Sequence, residues 1–369
     1  MKLVNCSLDE CNSFFDGRKI IFFGCGSWLQ IVNHTAIMQY SSNFLFVIDN
    51  GDLQNTRIGN ISLEVKKPAV VDGMKSIAIV LTSPVYMYDM YKQLREYDLD
   101  DSCICMSFPF MQMISNTSVN SECLSAVRGM TEAKIPKVIH SFWFGKDEKS
   151  ELYQRCIDSW KEILTDYKII EWNQDNYDCM AHPFVRKAIE EKAWAFASDY
   201  ARLDVLYRYG GIYLDMDVEV FKTFDDLLGN DAILSFSNNV QIDLAVVGSK
   251  QGNPLLAKLR SLYDGVILPE KREDFSKFFQ PSFVRETLHD YGIRMDGSLQ
   301  VLQDCAVFPK EFFMPQDHIL FAQFDKTENT YCVHYDNFGW SFSKDSKREK
   351  KIRENNLLWN EVNAANEVN

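Results

Sequence analysis

The apolar residues of this chain fall into short, dense runs separated by stretches with a helical spacing. Ile20 to Phe23, Phe44 to Ile48 and Ile77 to Leu81 are wholly apolar, as strands covered on both faces of a parallel sheet are. Trp28 to Tyr40 and Tyr86 to Tyr97, between and after them, carry helix-like patterns. That alternation predicts a Rossmann-like, doubly wound α/β domain over residues 1–125. From Ser115 to Lys134 the strong apolar runs disappear and polar residues dominate, which places a domain junction there. A second α/β pattern follows. It has a strand entered through Pro136, an amphipathic helix around Cys156 to Trp160, a strand from Tyr167 to Trp172, and a long helix that stops at Gly210-Gly211.

That long helix puts Leu203, Leu206 and Tyr207 on one face, with Asp199 and Arg202 projecting from the same side near its start. Asp204 and Arg208, four apart, fall on the opposite face and read as a solvent-exposed pair. Gly210-Gly211 supplies a left-handed stop free of any Cβ penalty. The strand-like Ile212 to Leu214 then sets Tyr213, Asp215 and Asp217 on one side. Two neighbouring carboxylates repel unless a cation sits between them, and oxygen ligands suit a divalent metal that in turn accepts a phosphate-bearing substrate. Asp-x-Asp alone also reads as the start of a solvated acidic loop; the helix, the glycines and the Asp199/Arg202 pair favour the metal.

Composition narrows the field. A chain of 369 residues can hold two domains or one large domain with an appendage, and 46% apolar residues fill a globular core. The net charge of −13 argues against non-specific nucleic-acid binding. Ten cysteines with no CxxC pair and no secretory leader lead to the expectation of reduced thiols in a cytoplasmic protein, and no apolar run is long enough to span a bilayer. Gly24 and Gly26, with Asp49 at the end of the next apolar run, fit part of a dinucleotide fingerprint, but Leu29 stands where its third glycine belongs. An NAD(P)-dependent oxidoreductase or a nucleotide-binding regulatory domain is therefore one alternative, although no hydride-transfer group accompanies the glycines. A catalytically silent interaction protein is another.

Three motifs in order, IPKVIHSFWFG from Ile135, IIEWNQDNYD from Ile169 and FASDYARLDVLYRYGGIYLDMDVEV from Phe196, resemble the DXD-containing glycosyltransferases of family 32, the bacterial enzymes of capsule and surface-polysaccharide synthesis. The last motif is also similar to the catalytic core of the large clostridial glucosylating toxins. The resemblance implies a GT-A fold over residues 134–345, a UDP- or GDP-linked sugar donor, a Mn2+ or Mg2+ ion, and hexosyl transfer with retention to a glycan hydroxyl. It assigns Trp143 to stacking on the donor base, Asp199 and Arg202 to the sugar hydroxyls and diphosphate, and Tyr213 to the ribose or diphosphate. Asp215 falls to the ribose and the metal, and Asp217 to the metal. Taken without the resemblance, Trp143 reads equally as core packing, and Asp199 with Arg202 as a structural ion pair.

Further along, VHYDNFGW from Val333 is similar to the family's His-His…Ser-Trp closure, which implies His334 as third metal ligand and Trp340 as part of a lid over the donor. Tyr335 and Gly339 depart from that pattern. Asp243 stands where the family carries an asparagine near the reacting sugar, and a carboxylate there suits stabilising an oxocarbenium-like transition state, orienting the acceptor hydroxyl, or capping a strand end. The tail, residues 346–369, opens with a basic run. It reads as a solvated helix or as a peripheral contact with the cytoplasmic face of the inner membrane, near a lipid-linked acceptor.

Overall fold

The computed structural model describes all residues except 116–118, 120, 130, 131, 146, 271–273, 276, 277, 279, 317–325, 336–345, 368 and 369. Two compact units emerge: residues 1–115 with the C-terminal helix Ser346–Glu367, and residues 119–316 with 326–335. The helix Ser121–Arg128, inside the stretch whose composition suggests a junction, belongs to the second unit. Its Arg128 Nε donates to the Tyr331 hydroxyl at 3.0 Å and pairs with Asp226 at 3.3 Å.

The first unit is built on strands β1 (Lys2–Leu3), β2 (Lys19–Phe23), β3 (Phe44–Ile48), β4 (Asn55–Ile58), β5 (Ile61–Lys66), β6 (Ile77–Leu81) and β7 (Ile104–Ser107). They lie in the order β1-β7-β6-β2-β3-β5-β4, and every pairing is parallel except the β4–β5 hairpin. The apolar runs of β2 and β6 form its centre and are buried throughout, because helices cover both faces of such a sheet. Strand order reverses between β2 and β6, the place where a doubly wound sheet opens a crevice. Here Gly24 (φ +114°) turns so tightly that a Cβ would stand 2.8 Å from Thr82 Oγ1. Asp49 accepts hydrogen bonds from the backbone N–H groups of Cys25 (2.8 Å) and Gly51 (2.7 Å), so its carboxylate closes the glycine turn itself.

The tail departs from the solvated-helix expectation. Helix Ser346–Glu367 packs within the first unit, burying Ile352, Asn355, Leu358 and Val362 at helical spacing. Asn355 Nδ2 donates to the Pro84 carbonyl at 2.7 Å, and Lys351 pairs with Asp89 at 2.8 Å. Among the described residues no helix is long and apolar enough to cross a membrane.

The second unit contains β8 (Val138–Phe142), β9 (Lys168–Trp172), β10 (Gly211–Leu214), β11 (Val218–Val220), β12 (Ala232–Asn238), β13 (Gln241–Ser249), β14 (Gln300–Val301), β15 (Ala306–Phe308) and β16 (Cys332–His334). Seven form a mixed sheet ordered β14-β15-β12-β13-β10-β8-β9, and β11 with β16 makes a separate antiparallel ribbon. β8 runs parallel to β9 and β10, whereas β13 is antiparallel to β10 and β12. The chain is thus mixed α/β with two seven-stranded sheets.

Helix Trp194–Tyr209 delivers the chain into β10 and is buried on more than one side. Asp204 is a correction to the amphipathic reading. It is buried, accepts from Arg208 and Arg260 at 3.1 Å each, and faces the Tyr177 hydroxyl at 3.3 Å. Helix Pro254–Ser261 packs on that flank, so the side with no apolar stripe is not a solvent face.

Candidate functional site

Asp215 leaves the end of β10, and its N–H still bonds to the Ala245 carbonyl at 2.9 Å. A tight turn follows, in which Val218 N–H donates to the Asp215 carbonyl at 3.1 Å, and the chain enters β11. Asp215 and Asp217 line a cleft of about 280 Å3, and the buried Met216 between them joins the core cluster as well as the cleft wall. The ribbon register sets His334 opposite Val218, and Tyr335 N–H donates to the Asp217 carbonyl at 3.0 Å. His334 Nε2 thereby comes to 3.3 Å from Asp217 Oδ1 and 3.9 Å from Asp215 Oδ2. One ligand atom from each of the three side chains lies within 4.8 Å of the others. Two carboxylates and an imidazole, gathered at that spacing in a cleft wall, fit Mn2+ or Mg2+. The Tyr335 hydroxyl is engaged by Glu219, with the Arg155 guanidinium 5.1 Å from the Tyr335 ring centre.

Arg202 ties this cluster to the long helix. Its guanidinium pairs with Asp199 at 3.1 Å and Asp215 at 3.3 Å, donates to the Leu244 carbonyl at 2.9 Å, and lies 4.5 Å from the Tyr213 ring centre. Burial opposes its charge, but Asp215, Tyr213 and Asp199 outweigh that and hold its pKa well above the usual value. Burial lifts the Asp199 carboxyl to about 8 against the pull of Arg202. Asp215 is raised as well, by burial and in spite of Arg202 and His334. The Tyr213 hydroxyl is hydrogen-bonded to Asp215, and burial raises its pKa too.

Asp243 lines the same cleft from β13, with Oδ1 accepting from Ala245 N–H at 2.9 Å. Trp143 forms another wall and is half-buried, between core neighbours Phe142 and Phe144. Its Nε1 donates to the Asp147 carbonyl at 3.1 Å, and the Lys149 ammonium lies 5.1 Å from its ring centre. The structure thus brings Trp143, Asp199, Arg202, Tyr213, Asp215, Asp217, Asp243 and His334 to one cleft. Trp340 and the lid around it lie outside the described residues. Two lining residues escape the sequence reading. Trp194 packs its indole edge where a Cβ on Gly145 (φ +96°) would lie 3.2 Å from Nε1. Gln280 opens helix Gln280–Asp290, and Pro281 after it signals a helix start without saying where that start points.

Residues 150–234 match the family model described as a glycosyltransferase sugar-binding region containing a DXD motif. The match takes in Asp199, Arg202, Tyr213, Asp215 and Asp217 and ends before Asp243 and His334. Inositol phosphoceramide mannosyltransferase 3 of Schizosaccharomyces pombe is 28% identical over 134 residues, 34% of this chain and 36% of its own. Inositol phosphoceramide mannosyltransferase 1 of the same yeast is 35% identical over 107 residues, 26% of this chain and 32% of its own. Mannosyl phosphorylinositol ceramide synthase SUR1 of Saccharomyces cerevisiae is 30% identical over 143 residues, 35% of each chain. The chain therefore spans about a third of the length of these curated relatives. A solved structure, PaToxG glycosyltransferase, overlaps 47% of this chain and 74% of its own at 18% identity and a TM-score of 0.34; the fold assignment rests on the strand order instead.

Proposed function

We propose that the second unit is a metal-dependent glycosyltransferase, moving a hexose from a nucleoside-diphosphate sugar to a hydroxyl acceptor. The observation that carries this is the junction of two units of chemistry in one cleft: the Asp215–Asp217–His334 cluster and the Asp199–Arg202 pair share Asp215. The NAD(P) alternative is not favoured, because the Asp49 carboxylate is engaged by two backbone N–H groups of its own turn, those of Cys25 and Gly51.

In the proposed reaction the anomeric C–O bond to the diphosphate breaks, a bond to the acceptor oxygen forms, and the acceptor proton leaves with the diphosphate. Asp215, Asp217 and His334 would hold a divalent cation, which when bound would supply Lewis-acid neutralisation of the leaving group. Arg202, fixed by the Ser198 and Leu244 carbonyls, presents a permanent positive charge beside the same carboxylate. Asp199 orients the sugar ring, so positioning rather than proton transfer supplies the acceleration. Asp243 faces the positive charge that develops at the anomeric carbon, and Trp143 offers an aromatic wall for the base. Retention of anomeric configuration belongs to this proposal.

The names of these relatives favour mannose and a lipid-borne inositol phosphate as acceptor. The motif resemblance favours a growing surface polysaccharide instead. Both are hydroxyl acceptors, so the chemistry at the donor is common to them. Thermal unfolding with UDP or GDP, with and without Mn2+, tests the donor site, because a ligand at a hundred times its Kd adds about 2.7 kcal/mol to stability. Transfer from GDP-mannose and UDP-hexoses is then followed by mass. No Mn2+-dependent stabilisation by either diphosphate would refute the assignment.

A further inference from the structure

Beyond Asp199, on the contact chain that starts at Asp215 and Arg202, the cleft ends against a polar side chain that the mechanism above does not use. Gln280 is 3% exposed and donates from Nε2 to the Asp199 carbonyl at 3.4 Å. The same side chain lines the cleft. Behind it stands Tyr263, fully buried, whose hydroxyl faces the Gln280 side chain and has no hydrogen bond of good geometry. The Tyr263 ring is caged by Phe184 at 4.8 Å and Phe283 at 5.0 Å, which stop it swinging out to water. A buried hydroxyl left short of a partner, behind a buried amide that lines the cleft, calls for a ligand that brings its own hydroxyls. The Gln280 amide is uncharged, so it supplies no cationic partner of its own for an anionic sugar.

We propose that Gln280, backed by Tyr263, reads a hydroxyl of a neutral hexose and decides which epimer is transferred. This rests on the glycosyltransferase reading above. A neutral amide both donates and accepts, so it distinguishes the direction of a hydroxyl and gives no charge partner to a uronate. A site that hydrogen-bonds a substrate hydroxyl discriminates strongly against a sugar that lacks or misplaces it, because its own buried groups are then left unpaired.

The test uses Mn2+-loaded protein, with Gln280→Met (near-isosteric, apolar) and Gln280→Glu beside the wild type. Affinity for bare UDP and GDP is measured by calorimetry. Then kcat/KM is measured for UDP- and GDP-linked glucose, galactose and mannose and for UDP-glucuronic acid. The expected result is diphosphate affinity within about threefold of wild type, a loss of about 30-fold or more in kcat/KM for the preferred hexose, and a changed order among hexoses. Unaltered order and rate in both variants would overturn the proposal. So would equal loss of bare diphosphate and sugar donor, which marks a structural prop, or a wild-type preference for the uronate. Failure of the parent reading shows separately, as wild-type protein that binds neither diphosphate with Mn2+, and the assignment of Gln280 falls with it.

Discussion

Trp172 and His140 settle each other's chemistry: the indole Nε1–H of Trp172 donates to His140 Nδ1 at 3.0 Å. An indole nitrogen can only donate, so Nδ1 must be the bare nitrogen and Nε2 carries the proton, which it gives to the Gly210 carbonyl at 2.8 Å. One neutral tautomer is thereby fixed between β8, β9 and the turn that launches the Asp215–Asp217 segment.

The pH dependence of that contact has a definite sign. Burial lowers the His140 pKa, with the Gly210 hydrogen bond opposing it, so the folded protein resists a proton that the unfolded chain takes up near 6.5. Stability from this group is present above that value and is lost as pH falls below it towards the folded-state pKa. Unfolding free energy is expected to fall by up to about 1.4 kcal/mol per pH unit below 6.5 on account of His140. Denaturant titrations at pH 7.5, 6.5 and 5.5 check this against His140→Gln. A variant as acid-sensitive as the wild type would remove His140 as the cause.

The same turn depends on an absent side chain. Gly211 has φ +118°, and a Cβ there would lie 2.6 Å from the Val138 carbonyl oxygen and 2.8 Å from His140 Nε2. Backbone on a neighbouring strand cannot yield as a flexible side chain would. Gly211→Ala is expected to cost more than about 2 kcal/mol, from strain added to the usual penalty of a positive φ. Gly252→Ala is the control, since its φ is +70° but nothing lies within 4 Å of the added atom; its cost is expected near 1 kcal/mol. Equal losses in denaturant unfolding would show that conformation alone, not crowding, explains Gly211.

Legibility in the sequence followed the range of the interaction. The apolar runs of β2, β3 and β6 and the glycine stop before β10 are local patterns, and the structure places those elements there. Asp199 and Arg202 are three apart on one helix, so their pairing needed no tertiary information. His334 reaches the two aspartates through the register of the β11–β16 ribbon, which its own sequence neighbourhood does not encode; only the family pattern pointed to it. Asp204 was misread because period shows where apolar residues lie, not whether a second helix covers the other flank. Asp49 stood at the expected spacing, but spacing could not reveal that it bonds back to Cys25 and Gly51. Gln280 and Trp194 carry no motif at all.

Arg202 separates architecture from chemistry. Its guanidinium is buried, with Asp199 and Asp215 as ion partners and backbone carbonyls filling its remaining donors. Arg202→Leu leaves two partly buried carboxylates without their ion partner and is expected to destabilise the fold by about 3 kcal/mol. Arg202→Lys keeps the charge but loses the planar fork, so it is expected to retain most stability while transfer falls by about 100-fold. Denaturant unfolding and turnover, measured on both variants, give the comparison. A lysine variant as unstable as the leucine variant would make the residue structural alone.

Asp217 provides the sharpest test of the cation cluster, because replacing its carboxylate by an amide is nearly isosteric. Asp217→Asn keeps the side-chain shape beside His334 while giving up the charge that, with Asp215, attracts a divalent ion. Removing one of two neighbouring carboxylates also relieves their repulsion, so the metal-free variant is expected to be as stable as wild type or slightly more so. Mn2+ should no longer raise its melting temperature in the presence of diphosphate, and transfer should fall by at least about 100-fold. Loss of transfer accompanied by lost stability would indicate a damaged fold rather than a lost ligand. Undiminished turnover in chelator-treated buffer would instead show that the Asp215–Asp217–His334 cluster serves no cation at all.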